Sequence, residues 1–255
     1  MKVIAFANQK GGVGKTTSAV NTAAFLARSG KKVLLVDSDP QGNASSGLGI
    51  SKKDAKATVY DLLVNPIKPS DAIIQTEYKN LHVIPSGIDL VGAELELVNA
   101  SRRDFRLKDA IDKVYNDYDV IIIDCPPSLG LVTINCLIAA EGVVIPLLCE
   151  FYSLEGLSQL TNTINHINKL YNSKLILLGV LINMYDGRLN LTYQVMNEIK
   201  KYFHDKLFKT PIPRNVKLSE APSFGMPISE YDRYSKGAMA YESFAKELYD
   251  RMKKY

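Results

Sequence analysis

Residues 9–17 constrain the fold of this chain more than any other stretch. Their sequence, Gln-Lys-Gly-Gly-Val-Gly-Lys-Thr-Thr, departs from the phosphate-binding pattern G-x-x-x-x-G-K-[ST] only in its first part, where a lysine stands beside the glycines. Glycines let backbone N–H groups turn inward and cradle anionic oxygens. The second lysine can reach the β- and γ-phosphates, and the threonine after it can bind Mg²⁺. We therefore expect nucleotide phosphates at Lys10, Gly11, Gly12, Val13, Gly14, Lys15, Thr16 and Thr17.

The residues on either side of this loop support that expectation. The apolar run from Val3 to Ala7 predicts a strand that leads into the loop, and residues 16–29 predict a helix whose positive N-terminal end faces the phosphates. Strand and helix patterns then alternate along the chain, which favours an α/β fold with a mostly parallel, twisted sheet and helices on both faces. Because no linker or repeat interrupts the pattern, residues 1–255 are expected to form one domain.

The hydrophobic pattern also predicts where the remaining elements lie. Residues 40–57 are rich in Gly, Ser and Asn and are expected to form a loop over the nucleotide. The closing helix should face inward with Tyr241, Phe244, Ala245, Leu248 and Met252. Strands are predicted at 33–37, 81–85, 119–124, 142–148, 175–183 and 207–213, and helices at 58–64, 102–118, 154–167, 190–203 and 235–252.

Three aspartates follow predicted strands and are candidates for chemistry. Asp124 ends the apolar run Val120–Ile123, where it can hold a Mg²⁺-bound water at the edge at which open α/β sheets bind ligands. Asp37 and Asp39 are two residues apart after the second strand, so both carboxylates can point toward the γ-phosphate. The sequence alone does not divide the roles of these two residues.

The additional lysine gives the loop a family resemblance. The string Lys10-Gly-Gly-Val-Gly-Lys15-Thr-Thr resembles the deviant Walker A box of the ParA/MinD superfamily of P-loop ATPases. In that family, the first lysine reaches across an ATP-sandwich homodimer to the partner's phosphates. The resemblance therefore implies a catalytic role for Lys10 as well as Lys15, with ATP and Mg²⁺ as cofactors.

The resemblance covers nearly the whole chain and points to the small ParA class of partitioning ATPases. Asp37-Ser-Asp39-Pro-Gln-Gly-Asn43 looks like the ParA form of the Walker A′ motif, in which the second aspartate positions the attacking water; that role falls on Asp39. The string from Pro213 to Ser223 and the run around Tyr231 continue the similarity. The family also implies that the nucleotide base is held near Asn183, Pro213 and Asn215.

Positive charge is concentrated in one C-terminal stretch. Between Arg188 and Lys217 seven lysines and arginines oppose two acidic residues, whereas the whole chain carries a net charge of only +4. Such asymmetry is typical of a surface that binds a polyanion. The family resemblance assigns non-specific DNA binding to positions matching Arg188 and Lys217, and Lys200 and Lys201 are candidate accessories.

The resemblance implies a DNA-partitioning ATPase whose ATP-bound homodimer binds double-stranded DNA and is stimulated by a ParB-like protein. A MinD-like membrane ATPase is the main alternative, because it shares Lys10, Lys15 and Asp39 and because residues 243–255 have some amphipathic character. An electron carrier like the nitrogenase iron protein is a third class, but it would need paired cysteine ligands at a dimer interface. Cys125, Cys136 and Cys149 are instead expected to be core residues.

Composition restricts where such a protein acts. The N-terminus lacks the charged, apolar and cleavage regions of a signal peptide. The longest apolar runs have the length of strands, well below the roughly 20 residues of a membrane span. A cytoplasmic location without a membrane partner is therefore expected, and the family resemblance implies association with the nucleoid.

Overall fold

The computed structural model of this chain describes residues 1–51, 55–150 and 153–255, and a seven-stranded β-sheet lies at its centre. In spatial order the strands are β3, β4, β2, β5, β1, β6 and β7, all parallel except for β3, which pairs with β4 in the antiparallel sense. The predicted mostly parallel sheet is confirmed. The strands are β1 (Val3–Phe6), β2 (Val33–Asp37), β3 (Ile74–Gln75), β4 (Leu81–Ile84), β5 (Val120–Asp124), β6 (Gly142–Leu148) and β7 (Ile176–Asn183).

Helices cover both faces of this sheet, as the sequence predicts. Within the described ranges they are α1 (Lys15–Arg28), α2 (Asn43–Ser46), α3 (Val59–Val64), α4 (Pro69–Ala72), α5 (Leu90–Glu96), α6 (Arg106–Asp112), α7 (Leu131–Ala139), α8 (Ser153–Leu170), α9 (Asn190–Phe203), α10 (Val216–Glu220), α11 (Ile228–Tyr231) and α12 (Lys236–Met252). None of these helices is both long and apolar enough to cross a membrane, a statement that covers only the residues described.

The central strands are apolar throughout because both of their faces are buried. Alternate side chains enter two separate cores. Ile4 and Phe6 pack on the side of α1 and α12, whereas Val3 and Ala5 pack on the side of α3 and α5 to α8. All five residues that the sequence places on the inner face of α12 are buried, as predicted: Tyr241, Phe244, Ala245, Leu248 and Met252.

Parallel strands deliver their last residues to one edge of the sheet. Register pairing places Phe6 beside Asp124 and Asp37 beside Asp124 at this edge, which we call the carboxyl edge. The loop from β1 to α1 begins here, and β7 ends here at Asn183. The opposite edge receives the C-terminal ends of α1 and α12, where the Met1 amino group donates to the Met252 carbonyl oxygen.

Three of the predicted elements differ from the structure. The helix expected at 102–118 is limited to α6 with a short 3-10 turn on each side. Helix α6 begins only at Arg106 because of the buried Asn135 side chain on α7. That side chain accepts from the Leu107 N–H and donates to the Arg103 carbonyl oxygen. The expected loop at 40–57 contains α2, which follows Gly42 in the left-handed region (φ 64°), and residues 52–54 of it lie outside the described ranges.

The prediction of a strand at 207–213 is also wrong. Leu207 and Pro213 form only isolated parallel bridges, with Val180 and Tyr185 respectively. Pro211 and Pro213 have no N–H group to donate, so a continuous ladder cannot form there.

Candidate nucleotide-binding site

The loop between β1 and α1 has the backbone shape that a phosphate cradle needs. Gly12 and Gly14 adopt left-handed conformations (φ 73° and 84°), which side chains rarely tolerate. A Cβ atom on Gly14 would lie 2.6 Å from Nδ2 of Asn183, so a larger residue is excluded there sterically as well. Helix α1 begins directly after Gly14, and the N–H groups of its first turn face the loop without partners within the helix.

Lys15 lies inside the curve of this loop. Its Nζ atom donates a hydrogen bond of 2.9 Å to the carbonyl oxygen of Lys10, and the residue is only 6% exposed. Burial lowers the pKa of Lys15, and the neighbouring groups of Asp124, Cys125 and Asp39 oppose that shift. The ammonium group is therefore held at the loop, next to two carboxylates.

The two aspartates at the C-terminal end of β2 have different surroundings. Asp37 is fully buried and accepts hydrogen bonds from the backbone N–H of Ser45 (2.8 Å), from its hydroxyl (2.7 Å) and from the N–H of Asp39 (3.2 Å). Burial raises the pKa of Asp37 to about 6. Asp39 is 8% exposed and accepts from the N–H of Gln41 at 3.0 Å. The structure therefore separates them: Asp37 orders the following loop, and Asp39 lies nearer to solvent.

Asp124 differs from both, because both of its carboxylate oxygens are buried without a hydrogen-bond partner among the described residues. Burial, and then the charge of Asp37, raises its pKa well above the usual range; the nearby Thr16 hydroxyl and the charge of Lys15 partly offset the shift. Buried polar atoms without partners are uncommon and require an explanation.

A hydroxyl and a carboxylate with unused oxygens fit the hard oxygen ligands that Mg²⁺ prefers. Thr16 and Asp124 therefore suit Mg²⁺ that also keeps water and phosphate oxygens as ligands. In the described ranges no three His, Cys, Asp or Glu side chains are grouped so as to hold a metal by themselves. The predicted Mg²⁺ site is of a kind that does not need such a group.

Lys10 points away from the cradle of its own subunit. Its backbone N–H donates to Oδ1 of Asn8 (3.0 Å), and its ammonium group forms an ion pair with Glu150, which follows β6. Both side chains of this pair are about half exposed. The lysine thus lies on the surface of the carboxyl edge, where a second molecule can approach it.

Asn183, Pro213 and Asn215, which the sequence assigns to the nucleotide base, line one cavity of about 180 Å³ beside Gly14 and Thr17. Nδ2 of Asn183 donates to the Val13 carbonyl oxygen (2.8 Å), whereas its Oδ1 atom is buried without a partner in the described part of the chain. Asn215 caps α10, because its Oδ1 atom accepts from the backbone N–H of Lys217. Asn183 therefore lines a cavity next to the phosphate loop and keeps one acceptor that has no partner in the described ranges.

The structure divides the four predicted DNA-binding residues into two pairs. Arg188 and Lys217 lie at the carboxyl edge, and each already has an acidic partner: Arg188 forms two side-chain hydrogen bonds to Asp186 (2.9 and 2.6 Å), and Lys217 pairs with Glu220 (2.9 Å). Lys200 and Lys201 belong to the last turn of α9, 10 and 11 residues after Asn190, which places them about 15 Å further toward the opposite edge.

Two residues of the site were missed by sequence reasoning. Ser45 holds Asp37 in place, and its only signal was its position in a Gly- and Ser-rich stretch. Glu150 pairs with Lys10, and its only signal was that it follows a predicted strand.

The parallel sheet, the glycine loop before α1 and the aspartates at the ends of β2 and β5 define a P-loop nucleoside triphosphatase fold. Comparisons with known proteins make the class more specific. Residues 1–177 match the family model described as AAA domain. The chain is 58% identical to the sporulation initiation inhibitor protein Soj of Bacillus subtilis over 247 residues, which are 97% of this chain and 98% of that protein.

Two further comparisons agree. The chromosome partitioning protein ParA of Myxococcus xanthus is 51% identical over 250 residues, 98% of this chain and 88% of that one. The crystal structure of cobyrinic acid a,c-diamide synthase from Mycobacterium smegmatis with bound ADP and magnesium superposes with a TM-score of 0.86 at 38% identity, covering 99% and 96% of the two chains. This chain belongs to the AAA domain family and to the Soj/ParA family of chromosome-partitioning proteins.

Proposed function

We propose that this protein is an ATP-driven switch for DNA partitioning, active as an ATP-sandwich dimer that binds DNA and releases it on hydrolysis. The observation that carries the proposal is Asp124: its two carboxylate oxygens are buried, have no hydrogen-bond partner in the described part of the chain, and lie beside Thr16 and Lys15 at the start of α1. Such an arrangement is costly in the protein alone and becomes favourable when a magnesium-bound triphosphate occupies the loop.

The residues of the site have different roles in binding the nucleotide. Lys15 contacts the β- and γ-phosphates, and the N–H groups of residues 11–17 surround them. Mg²⁺, when bound through Thr16 and through water to Asp124, supplies neutralisation of the phosphate charge. The Oδ1 atom of Asn183, which has no partner among the residues described, would accept from the amino group of adenine, with Pro213 and Asn215 against the ring.

Hydrolysis needs an oriented water, and Asp39 is the residue placed to hold it. Asp37 is engaged by Ser45, so its carboxylate stabilises the loop that carries Asp39. Asp39 acts mainly by orientation, because carboxylates in general are weak bases.

The dimer follows from the direction of Lys10. Its ammonium group lies outside its own cradle, on the edge of the molecule that carries the nucleotide site. Two subunits that face each other across this edge would each offer Lys10 to the phosphates of the other, with Gly11 allowing close approach. Nucleotide occupancy thereby controls assembly.

DNA binding is assigned first to Arg188 and Lys217, because both lie at the carboxyl edge together with the site that controls the dimer. A dimer doubles the number of phosphate contacts, and linked contacts bind more tightly than separate ones. Lys200 and Lys201 lie too far along α9 to belong to the same patch and are accessory contacts at most. A nucleoid-associated location would follow from this activity.

The MinD-like alternative requires an apolar helix face that is free to enter a membrane. The C-terminal helix α12 has no such face to offer, because Phe244, Leu248 and Met252 are buried against the sheet. The partition function is therefore preferred, with a ParB-like protein as the stimulating partner.

One titration tests the proposal: the rate of ATP hydrolysis is measured with Mg²⁺ alone, with added double-stranded DNA, and with DNA and the ParB-like protein together. We expect slow basal turnover, and the largest increase when both are present. A rate that responds to anionic vesicles and not to DNA would contradict the partition function and favour the membrane alternative.

A further inference from the structure

Helix α5 has apolar residues on two opposite sides. Leu90, Ala93 and Leu97 on its inner side are buried in the core. The outer side carries four apolar side chains that are 51–80% exposed, and we call them the α5 stripe: Ile88, Val91, Leu95 and Val98. Their spacing of three and four residues places them in one row along the helix and the short 3-10 turn after it.

A continuous exposed apolar row of this kind is unusual on a soluble protein and marks an interaction surface. Helices normally expose such residues singly. Here four successive positions of one face are apolar, although the inner face alone suffices to attach α5 to the core.

The charge beside the α5 stripe indicates what it binds. Asp89 and Glu96 lie along one side of it and Glu94 along the other, and residues 83–101 contain no lysine or arginine. Arg103 lies against the end of the stripe, where its guanidinium donates to the Val98 carbonyl oxygen (2.8 Å) and pairs with Asp104, so the acidic border belongs to the part from Ile88 to Leu95. An apolar row with acidic borders complements an apolar row with basic borders.

We propose that the α5 stripe is the docking surface for a positively charged amphipathic segment of a partner protein, bound with its apolar residues against Val91 and Leu95. DNA and anionic lipid are disfavoured because their phosphates would meet the three carboxylates. A second copy of this chain is disfavoured because a two-fold interface would bring the same acidic borders together.

Docking at the α5 stripe can affect the nucleotide site through hydrogen bonds. The segment before α5 leaves β4 at the carboxyl edge, where the backbone N–H of Ser86 donates to the Ser45 hydroxyl oxygen (3.3 Å). That hydroxyl in turn donates to Asp37, which precedes Asp39. Two hydrogen bonds thus connect the base of α5 with the aspartates. This link to hydrolysis rests on the proposed ATPase function, whereas the docking itself does not.

The test uses the full-length protein and a fluorescein-labelled peptide of about 14 residues, made of leucine and lysine with the leucines on one helical face. Binding is followed by fluorescence anisotropy. Leu95→Gln should weaken binding about tenfold, because a leucine loses its burial at the centre of the contact. The matched control is Leu170→Gln, a leucine with similar exposure at the end of α8, which should leave binding unchanged.

Charge is tested separately with Asp89→Lys/Glu94→Lys, which should weaken binding at low salt even if the leucine variant fails to fold. A peptide with glutamate in place of lysine should not bind. Equal binding by all variants, or binding of the acidic peptide, would overturn the proposal. So would a change in sedimentation caused by Leu95→Gln without peptide, since the stripe would then join copies of this chain.

The ATPase rate of the same samples separates the two hypotheses. If the peptide binds at the stripe but no sample hydrolyses ATP, the proposed function fails and the docking surface stands. If basal hydrolysis is normal and the peptide does not depend on Leu95, the docking surface fails alone.

Discussion

Asp37 and Asp124 lie opposite each other at the ends of neighbouring strands, yet among the residues described only Asp37 has partners within hydrogen-bond distance. Burial raises the pKa of both carboxyl groups, to about 6 for Asp37 and well above the usual range for Asp124. Two like charges so close together cannot both ionise without cost. The hydrogen bonds from Ser45 favour ionised Asp37, whereas ionised Asp124 depends on the charge of Lys15 and on a cation from outside the protein.

This dependence gives the protein a pH-sensitive stability without nucleotide. A carboxyl group with a raised pKa in the folded state binds more protons when folded than when unfolded, so the free energy of unfolding falls as pH rises from about 4 through 6 and beyond. Asp124→Asn removes one such group. At pH 8 we expect the variant to be more stable than the parent by about 1–3 kcal/mol, with a smaller decline between pH 5 and 8.

Thermal unfolding across this pH range, in the absence of nucleotide, measures the effect. Asp205→Asn, at a carboxylate whose side chain is 80% exposed, is the control and should behave as the parent. The same Asp124→Asn variant should lose the stabilisation that Mg²⁺ with ATP gives the parent. An Asp124→Asn variant that is less stable at pH 8 and still responds to Mg²⁺ with ATP would contradict the metal assignment.

Lys15 and Asp39 should separate nucleotide binding from hydrolysis. Lys15→Ala removes a contact to the phosphates and should lower ATP affinity as well as turnover. Asp39→Ala should retain ATP and accumulate the dimer, because the phosphate cradle is intact and only the water is misplaced. Equilibrium binding of a fluorescent ATP analogue, together with sedimentation, distinguishes the two. An equal loss of ATP binding in both variants would be incompatible with this assignment.

Gly11 should act between subunits and not within its own loop. A Cβ atom added there meets no other atom within 4 Å, and its φ is not positive, so its own loop tolerates a larger residue. We expect Gly11→Val to bind ATP normally and to fail to form ATP-dependent dimers in sedimentation. Gly14→Val is the contrasting variant, because its Cβ atom would collide with Asn183 and should abolish ATP binding itself. A normal dimer of the Gly11 variant would refute the interface role.

The ion pair between Lys10 and Glu150 should oppose formation of the ATP-bound dimer. Lys10 must leave Glu150 before it can reach a partner's phosphates, and the exposed pair contributes about 0.2–1 kcal/mol. Because each dimer breaks two such pairs, Glu150→Gln should dimerise with ATP at a protein concentration lower by a factor of about 2 to 30. Glu155→Gln, a few residues further along on α8, is the control. If Glu150→Gln needs a higher protein concentration than the parent to dimerise with ATP, Glu150 assists dimer formation and the prediction is wrong.

The strands could be predicted closely because burial on both faces makes their sequences continuous apolar runs. Residues 33–37 and 142–148 were assigned to within a residue for this reason. Helix α7 was not predicted: its sequence is apolar on almost every side, so it has no helical period to detect. The two-residue strand β3 is too short to carry a pattern.

The site was predictable where a motif fixes both the residue and its place in the fold. The phosphate loop, Asp39 and Asp124 meet at one edge because each follows a parallel strand. Contacts between distant segments were not predictable. Nothing local to Lys10 in the sequence indicates that Glu150 lies beside it. The acids that pair with Arg188 and Lys217 are only two and three residues away, and sequence reasoning overlooked them.

The acidic partners of Arg188 and Lys217 should weaken DNA binding. The hydrogen bonds from Arg188 lower the pKa of Asp186, and those from Lys217 and Tyr231 lower the pKa of Glu220, so both acids remain ionised at neutral pH and compete with DNA phosphates. Asp186→Asn and Glu220→Gln should therefore tighten DNA binding severalfold at low salt, whereas Arg188→Glu and Lys217→Glu should weaken it for every sequence alike.

The measurement is DNA affinity at several salt concentrations, with the Asp39→Ala dimer as the parent. The logarithm of the binding constant falls linearly with the logarithm of the salt concentration. Each charge reversal should make this slope less steep by roughly 0.9 for each DNA phosphate that the variant leaves unneutralised. Lys201→Glu, at the far end of α9, is the control and should alter the slope less. Because Arg188 and Lys217 lie outside the phosphate loop, basal hydrolysis and dimerisation should persist in their variants. If Lys201→Glu abolishes binding while Arg188→Glu leaves affinity and slope unchanged, the DNA-binding surface lies at the opposite edge of the sheet.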